Sequence, residues 1–527
     1  MKENMTNRMK ILQINEKIEL LKIPTLMSLL IIIIIGFSVR AYFTYWNMNF
    51  ESPDAFLFLL EANSFVEGNF DKFGIRAIWP MIISGFFSIF QFTELVDKMN
   101  LIRMISISIS TISIILIYKI SKEFVKNKYA LFVAALFAFD PTLIENSVLG
   151  IREPIFLLLG LISIYYIIHK NEKFIFLAFI FAGLAFNTKI AGIALPIFLC
   201  IFILLRFKSY KEKIKFISIG IVIFLIIILP YIILTVEQGS IPFVWMLTNS
   251  INQIQTESIS PSTYSESNED VSIVETSIVR EILHFGRINL PLTGIFAIIG
   301  FFSWIQTRDF KFYAVISSVV VILLIALPMY FQSAEYRNLL LASPFLFILA
   351  GVGLERVIEK RKLKKNLLII LTIILIFGSI ITINMLDNRD KEESLEKEKI
   401  AKIIVNKFSG RFMGDLYGYI NQNIFDVKHG GVKGTSNSLY YNDSISITML
   451  DFSITSIELL MEESKKLGVN YLIIDNKFDN RYPIFDNIFK NEEKYLYLEK
   501  VFEYDSEKID LKIKIFKINF EKYHKLQ

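Results

Sequence analysis

Residues 51–70 read ESPDAFLFLLEANSFVEGNF, directly after the first long apolar run of the chain. Ser52 and Pro53 open a helix with Asp54 in its first turn. A Ser N-cap, a Pro at the first helical position and an acid near the helix start each favour that beginning. Glu61 lies seven residues on, so it shares a helical face with Asp54. Acids set among phenylalanines and leucines suit a helix lying at a membrane edge. The side of the membrane on which they stand follows from the rest of the chain.

Of the 527 residues, 53% are hydrophobic and 14% aromatic, and mean hydropathy is +0.49. Soluble domains hold about 45–50% apolar residues, counting Gly. The excess sits in runs such as LMSLLIIIIIGF and IGIVIFLIIILPYIIL, which predicts a polytopic α-helical membrane protein. A single cysteine, Cys200, excludes an internal disulfide and a cysteine metal cluster. The first apolar run is long and lacks a small-residue cleavage site, so it reads as a retained span.

A span needs roughly 20 apolar residues. Eleven candidates fall near 25–44, 101–118, 129–147, 153–168, 174–189, 191–206, 214–235, 290–305, 312–331, 338–355 and 366–386. With residues 1–24 in the cytoplasm, the inside segments carry 24 Lys and Arg and the outside loops ten, as the positive-inside rule requires. The alternation holds only if IWPMIISGFFSIF (78–90) does not cross, so it reads as an interfacial or re-entrant helix. Asp54, Glu61, Glu153, Lys189, the external loops 45–100 and 236–289, and everything after 386 then face outward. The localisation expected is the cell membrane, multi-pass, with a cytoplasmic N-terminus.

At NMLDNRDKEESLEKEK the composition turns from apolar to charged. The transmembrane part, 25–386, is expected to give way to an external soluble α/β domain over 387–527. There ITSIELLMEESKKLG reads as an amphipathic helix stopped by Gly468 and followed by the buried strand YLIID. EKVFEYD and LKIKIFKINF alternate as half-buried strands.

The external charges are the candidates for chemistry. Asp54 serves as a helix-start residue or as a general base at the membrane–water boundary. Glu61 is a solvated polar position or a second acid on that face. Arg152 and Glu153, in LGIREPIF, form a local ion pair and helix start, or part of a site. Lys189, in AFNTKIAG, has no acidic neighbour in sequence, and an anionic ligand would supply a partner. Arg337, in AEYRN, has Glu335 beside it. Arg152, Lys189 and Arg337 together suit one phosphate, Arg through its bidentate fork and Lys as a point charge. GVGLER (351–356) lacks the third Gly of a dinucleotide fingerprint. The four scattered histidines and the absence of HExxH, P-loop and D-x-D patterns point to no metal and no nucleotide.

The order of PDAFLFLLEANSFVEGNF, IRAIWPMIISGFFSIF, LIRMISISISTISIILIYKISKEF, FAFDPTLIENSVLGIREPIFLLLG, GLAFNTKIAGIALP and EYRNLLLASPFLFILAGVGL resembles the family 39-like glycosyltransferases of the GT-C fold. These include protein O-mannosyltransferases and the bacterial aminoarabinose transferases of lipid A. The resemblance covers roughly residues 25–357. It implies sugar transfer from a polyprenyl-phosphate carrier to a lipid, glycan or protein acceptor outside, without a nucleotide-sugar donor, a further cofactor or nucleic acid. It implies Asp54 as base, Glu153 in an acceptor-positioning or supporting role, and Arg152, Lys189 and Arg337 on the lipid phosphate. Tyr336 and Glu61 complete the expected binding set. A single Asp followed by Ala replaces an acidic pair, and a WWDYG-type motif is missing. Both departures argue against oligosaccharide transfer to Asn and the metal that reaction uses.

Two other classes compete. A transporter or flippase of lipid-linked sugars needs charges along a mid-membrane pathway, whereas these cluster at the external rim. A non-catalytic membrane protein with an external binding domain leaves Lys189 and Arg337 unexplained.

Overall fold

The structure, a computed structural model, describes residues 25–47, 53–68, 77–90, 95–169, 172–237, 290–305, 310–333, 337, 340–361, 366–386, 391–414, 416, 419–420, 441–442, 445–448, 454, 456–476, 483–506 and 509–526. The expected cytoplasmic segment 1–24 and most of the loop 236–289 lie outside these residues.

The helical part begins with α1 (Thr25–Tyr42), then α2 (Pro53–Val66) and α3 (Ile78–Ile89). The latter two have 14 and 12 residues, too few to cross a bilayer core alone at 1.5 Å per residue. They pack on each other within the stretch expected to be the first external loop. Next come α4 (Leu95–Ser121), α5 (Asn127–Ala138), α6 (Pro141–Val148), α7 (Glu153–Ile168), α8 (Ile175–Thr188), α9 (Ala194–Arg206) and α10 (Tyr210–Glu237). The set closes with α11 (Leu290–Ile305), α12 (Phe310–Ser333), α13 (Ser343–Arg361) and α14 (Asn366–Leu386).

Among the described residues, five helices are long and apolar enough to cross a membrane, or six if the bent pair α5–α6 counts as one. The expected count of eleven is thus reached only by including shorter apolar helices such as α7 and α9. One expected span, 129–147, is broken into α5 and α6 at an angle of 50°. Asp140 and Pro141 cause the break. Pro141 occupies the first helical turn of α6, and the Asp140 carboxylate caps it by accepting from the Leu143 N–H at 3.0 Å. The carbonyls left open at the end of α5 are satisfied from other helices. Arg40, fully buried on α1, donates through Nη1 to Ala138 O at 2.8 Å, and Ser379 Oγ donates to Phe139 O.

The glycines of GVGLER serve packing. A Cβ at Gly353 would stand 2.0 Å from Phe296 O, and one at Gly300 would stand 1.9 Å from Leu349 O. α11 and α13 therefore touch backbone to backbone, the close approach that small residues allow between helices.

Beyond α14 the chain forms α15 (Lys391–Lys407) and an α/β domain with a six-stranded sheet of order β2-β3-β1-β4-β6-β5. Its strands are β1 (Gly410–Gly414), β2 (Tyr441–Asn442), β3 (Ile445–Thr448), β4 (Tyr471–Asp475), β5 (Leu498–Asp505) and β6 (Lys512–Ile518). β1 is central and runs parallel to both β3 and β4, while β6 is antiparallel to β4 and β5. The expected helix is α16 (Ile457–Leu467), capped by Ser456 and ended at Gly468, which adopts φ +65°. Period-two alternation divides the core. Phe412, Ile473, Ile513 and Ile515 join the apolar core that is continuous with the helical part. Met413, Leu472, Ile474 and Phe516 face the other way, onto α16 and α17 (Pro483–Lys490).

Candidate active site

Four of the charges singled out in the sequence meet at one place. Lys189 Nζ lies 3.0 Å from Glu153 Oε1 and donates to the backbone carbonyl of Arg337 at 3.1 Å. Arg337 Nε is 3.9 Å from the same Glu153 oxygen, and its Nη1 pairs with Asp54 Oδ2. The order is Lys189–Glu153–Arg337–Asp54, drawn from four separate parts of the chain.

Local structure explains each placement. Glu153 occupies the first turn of α7, where exposed N–H groups and the helix dipole favour a carboxylate. Lys189 is the C-cap of α8, its own N–H bonded to Ala185 O at 2.9 Å, where the dipole favours a cation. Two helix ends of opposite polarity are thus set against each other. The turn before α7 is held by Gly150, at φ +74°, where a Cβ would meet Ile102 at 3.0 Å and Arg103 at 3.3 Å. The carbonyl of Gly150 accepts a hydrogen bond from Trp79 Nε1 of α3 at 3.2 Å. Arg152 lies over the ring of Phe58 on α2, 5.7 Å from its centroid. α2 and α3 are therefore joined to the start of α7 by two independent contacts.

Exposure separates an inner pair from an outer pair. The side chains of Glu153 and Lys189 are 2% and 4% exposed, those of Asp54 and Arg337 31% and 24%. Asp54 and Arg337 are thus within reach of water, while the inner pair is shielded from it. Lys189 therefore has its anionic partner within the chain, contrary to the expectation that a ligand supplies one. Sequence spacing hid this because Glu153 is 36 residues away. Arg337 likewise reaches across the fold to Asp54. Glu61, half-buried, lies two turns further along α2. Tyr336 lies outside the described residues.

Residues 78–234 match the family described as dolichyl-phosphate-mannose-protein mannosyltransferase. No curated protein sequence matches the chain. Among solved structures, the oligosaccharyltransferase AglB of Archaeoglobus fulgidus, in complex with an inhibitory peptide and a dolichol-phosphate, superposes with a TM-score of 0.60 at 12% identity, over 92% of this chain and 74% of that one. ArnT of Cupriavidus metallidurans, bound to undecaprenyl phosphate, gives 0.55 at 12% identity, over 93% and 97%. The arabinofuranosyltransferase AftD from Mycobacteria gives 0.51 at 11% identity, over 93% and 40%. The chain has the GT-C fold. The family match over 78–234 adds the enzyme class, so this is a GT-C membrane glycosyltransferase.

Sequence reading missed two features of this GT-C scaffold. Arg40, one of the ten cations counted outside, is fully buried, donating also to Gly36 O at 2.9 Å and Ser110 Oγ at 3.2 Å. Asp140 was open to detection, since Asp followed by Pro is a helix-start signature. The second is the contact of Phe56 on α2 with Tyr419 of the α/β domain, for which a sequence carries no local signal. Among the described residues no three or more His, Cys, Asp or Glu are placed so that they could hold a metal ion.

Proposed function

We propose that this glycosyltransferase moves a sugar from a polyprenyl-phosphate carrier to an acceptor hydroxyl on the membrane face opposite its N-terminus. The observation that carries the reading is the contact of solvent-reachable Asp54 with Arg337, backed by the buried Lys189–Glu153 pair. The lipid phosphates named in the AglB and ArnT structures support a donor of that class. The excess of Lys and Arg in alternate loops supports the orientation.

In this mechanism Arg337, with Arg152 nearby, binds the donor phosphate. The phosphate draws the Arg337 guanidinium from Asp54, leaving that carboxylate free to act as base. The acceptor oxygen attacks the anomeric carbon, and the bond from that carbon to the phosphate oxygen breaks. The leaving oxygen keeps the electron pair, and polyprenyl phosphate departs with its new negative charge stabilised by the cations. The hydroxyl proton passes to Asp54. Glu153 holds Lys189 and Arg337 in register.

Asp54→Asn tests the reading, because Asn keeps the size and a hydrogen-bonding side chain at this first-turn position but is no base. Transfer should fall about 10²–10⁴-fold while undecaprenyl phosphate still binds. Near-wild-type transfer in this variant would sink the base assignment.

A further inference from the structure

We infer that Tyr419 of the C-terminal domain is a positioning residue for Asp54, so that this domain is part of the catalytic apparatus. The inference rests on the reading of Asp54 as the base. Tyr419 packs on Phe56, two residues after Asp54 on α2, with ring centroids 4.7 Å apart and planes at 59°. Both side chains are 3% exposed. The pair is therefore a dry joint between the helix that presents the carboxylate and the soluble domain.

The domain side of the joint is buried and hydrogen-bonded at its described residues. Tyr419 follows the end of β1, the central strand, paired on both sides in parallel. The chain then turns through Leu416, whose φ of +65° is uncommon for a residue with a side chain. The Ile420 N–H bonds to Leu416 O at 2.8 Å and closes the turn. Leu416 and Ile420 are themselves buried, at 5% and 0% exposure. A left-handed non-glycine residue persists where its surroundings over-determine it, and such sites cluster where geometry matters for function.

The helix side needs that support. α2 has only 14 residues, too few to cross a bilayer core, so its first turn is not anchored by a membrane span of its own. Arg337 fixes the Asp54 carboxylate from one direction. Phe56 projects from the same turn, and Tyr419 fixes it from another. Displacing a reacting group by about 1 Å costs about 10²-fold in rate, and loss of the ring pair frees that turn to shift.

The test uses the full chain in lipid nanodiscs. Its donor is whichever undecaprenyl-phosphate-linked hexose or pentose of a panel the wild-type chain turns over. Tyr419→Ala should lower kcat about 10²-fold while undecaprenyl phosphate binding and the donor KM stay within about twofold. Tyr419→Phe, which keeps the ring, should restore the rate. Tyr419→Leu keeps the buried apolar volume without the ring and carries the same expectation should the alanine variant not fold. Wild-type kcat in Tyr419→Leu, or failure of Tyr419→Phe to restore the rate, overturns the positioning role. Asp54→Asn run in parallel separates the two ideas. If that variant retains transfer, the base reading fails; if it is inactive while Tyr419→Leu is fully active, the positioning role alone fails.

Discussion

Lys189 and Glu153, 36 residues apart in the chain, stand 3.0 Å apart with almost no exposure to water. The second Glu153 oxygen, Oε2, is buried without a hydrogen-bond partner among the described residues. Holding two buried charges is costly unless each compensates the other, and replacing a whole pair by apolar groups is often neutral. The pair is better understood as a device that fixes the Arg337 segment than as a source of stability. Lys189 does so directly, through the Arg337 carbonyl.

A double-mutant cycle should show that coupling. Glu153→Gln leaves the Lys189 ammonium buried without its countercharge and should cost roughly 3–5 kcal/mol, as should Lys189→Met in the reverse sense. The double variant should lose much less than the sum. Thermal unfolding of the four proteins in nanodiscs reads this out, and simple additivity would mean that the two charges do not depend on each other.

The break between α5 and α6 makes a second prediction. Asp140 caps α6 and interacts electrostatically with buried Arg40. Asp140→Asn keeps the cap but removes the charge; Asp140→Ala removes both. The alanine variant should be the less stable by about 1 kcal/mol, the usual worth of a cap. Equal unfolding temperatures for the two would show that charge alone matters at this position.

The fold was legible where it rests on local pattern. Long apolar runs gave the membrane class. The helical period of ITSIELLMEESKK, the Gly468 stop and the alternation of LKIKIF gave the helix and strands of the C-terminal domain. The four charges that meet, Asp54, Glu153, Lys189 and Arg337, stood out in the sequence because each lies at the edge of an apolar run. Their pairing was not, since contacts across 36 or 283 residues leave no trace in spacing. The bend within the span drawn over 129–147 was not legible, because hydropathy averages over the Asp140–Pro141 break.

The GVG segment gives a third prediction. Gly353→Leu places a side chain where even a Cβ would meet Phe296 O at 2.0 Å, so α11 and α13 must separate. Overpacking typically costs about 1–3 kcal/mol, and direct backbone contact puts this change toward the upper end. Gly294→Ala on the same α11, where a Cβ meets nothing within 4 Å, should cost no stability and gains helix propensity. A similar loss from both would mean that backbone contact between α11 and α13 does not govern the effect.

Arg337 gives the fourth. Its guanidinium pairs with Asp54 through Nη1 while Nε lies 3.9 Å from Glu153, an arrangement that uses two edges of the planar fork. Lysine supplies the charge but a single point of contact. Arg337→Lys should therefore keep the fold, bind undecaprenyl phosphate more weakly, and become more sensitive to salt, because an exposed point charge is more readily screened. The loss in transfer should exceed the loss in binding, since an ammonium that stays on Asp54 leaves the base occupied when the donor arrives. Arg337→Ala frees Asp54 but removes the phosphate partner, so its main defect should be in binding. Comparing undecaprenyl phosphate affinity with turnover at saturating donor in the two variants separates the roles. If lysine and alanine lose affinity and turnover in the same proportion, Arg337 does no more than hold phosphate, and the exchange of its partner from Asp54 to donor is wrong.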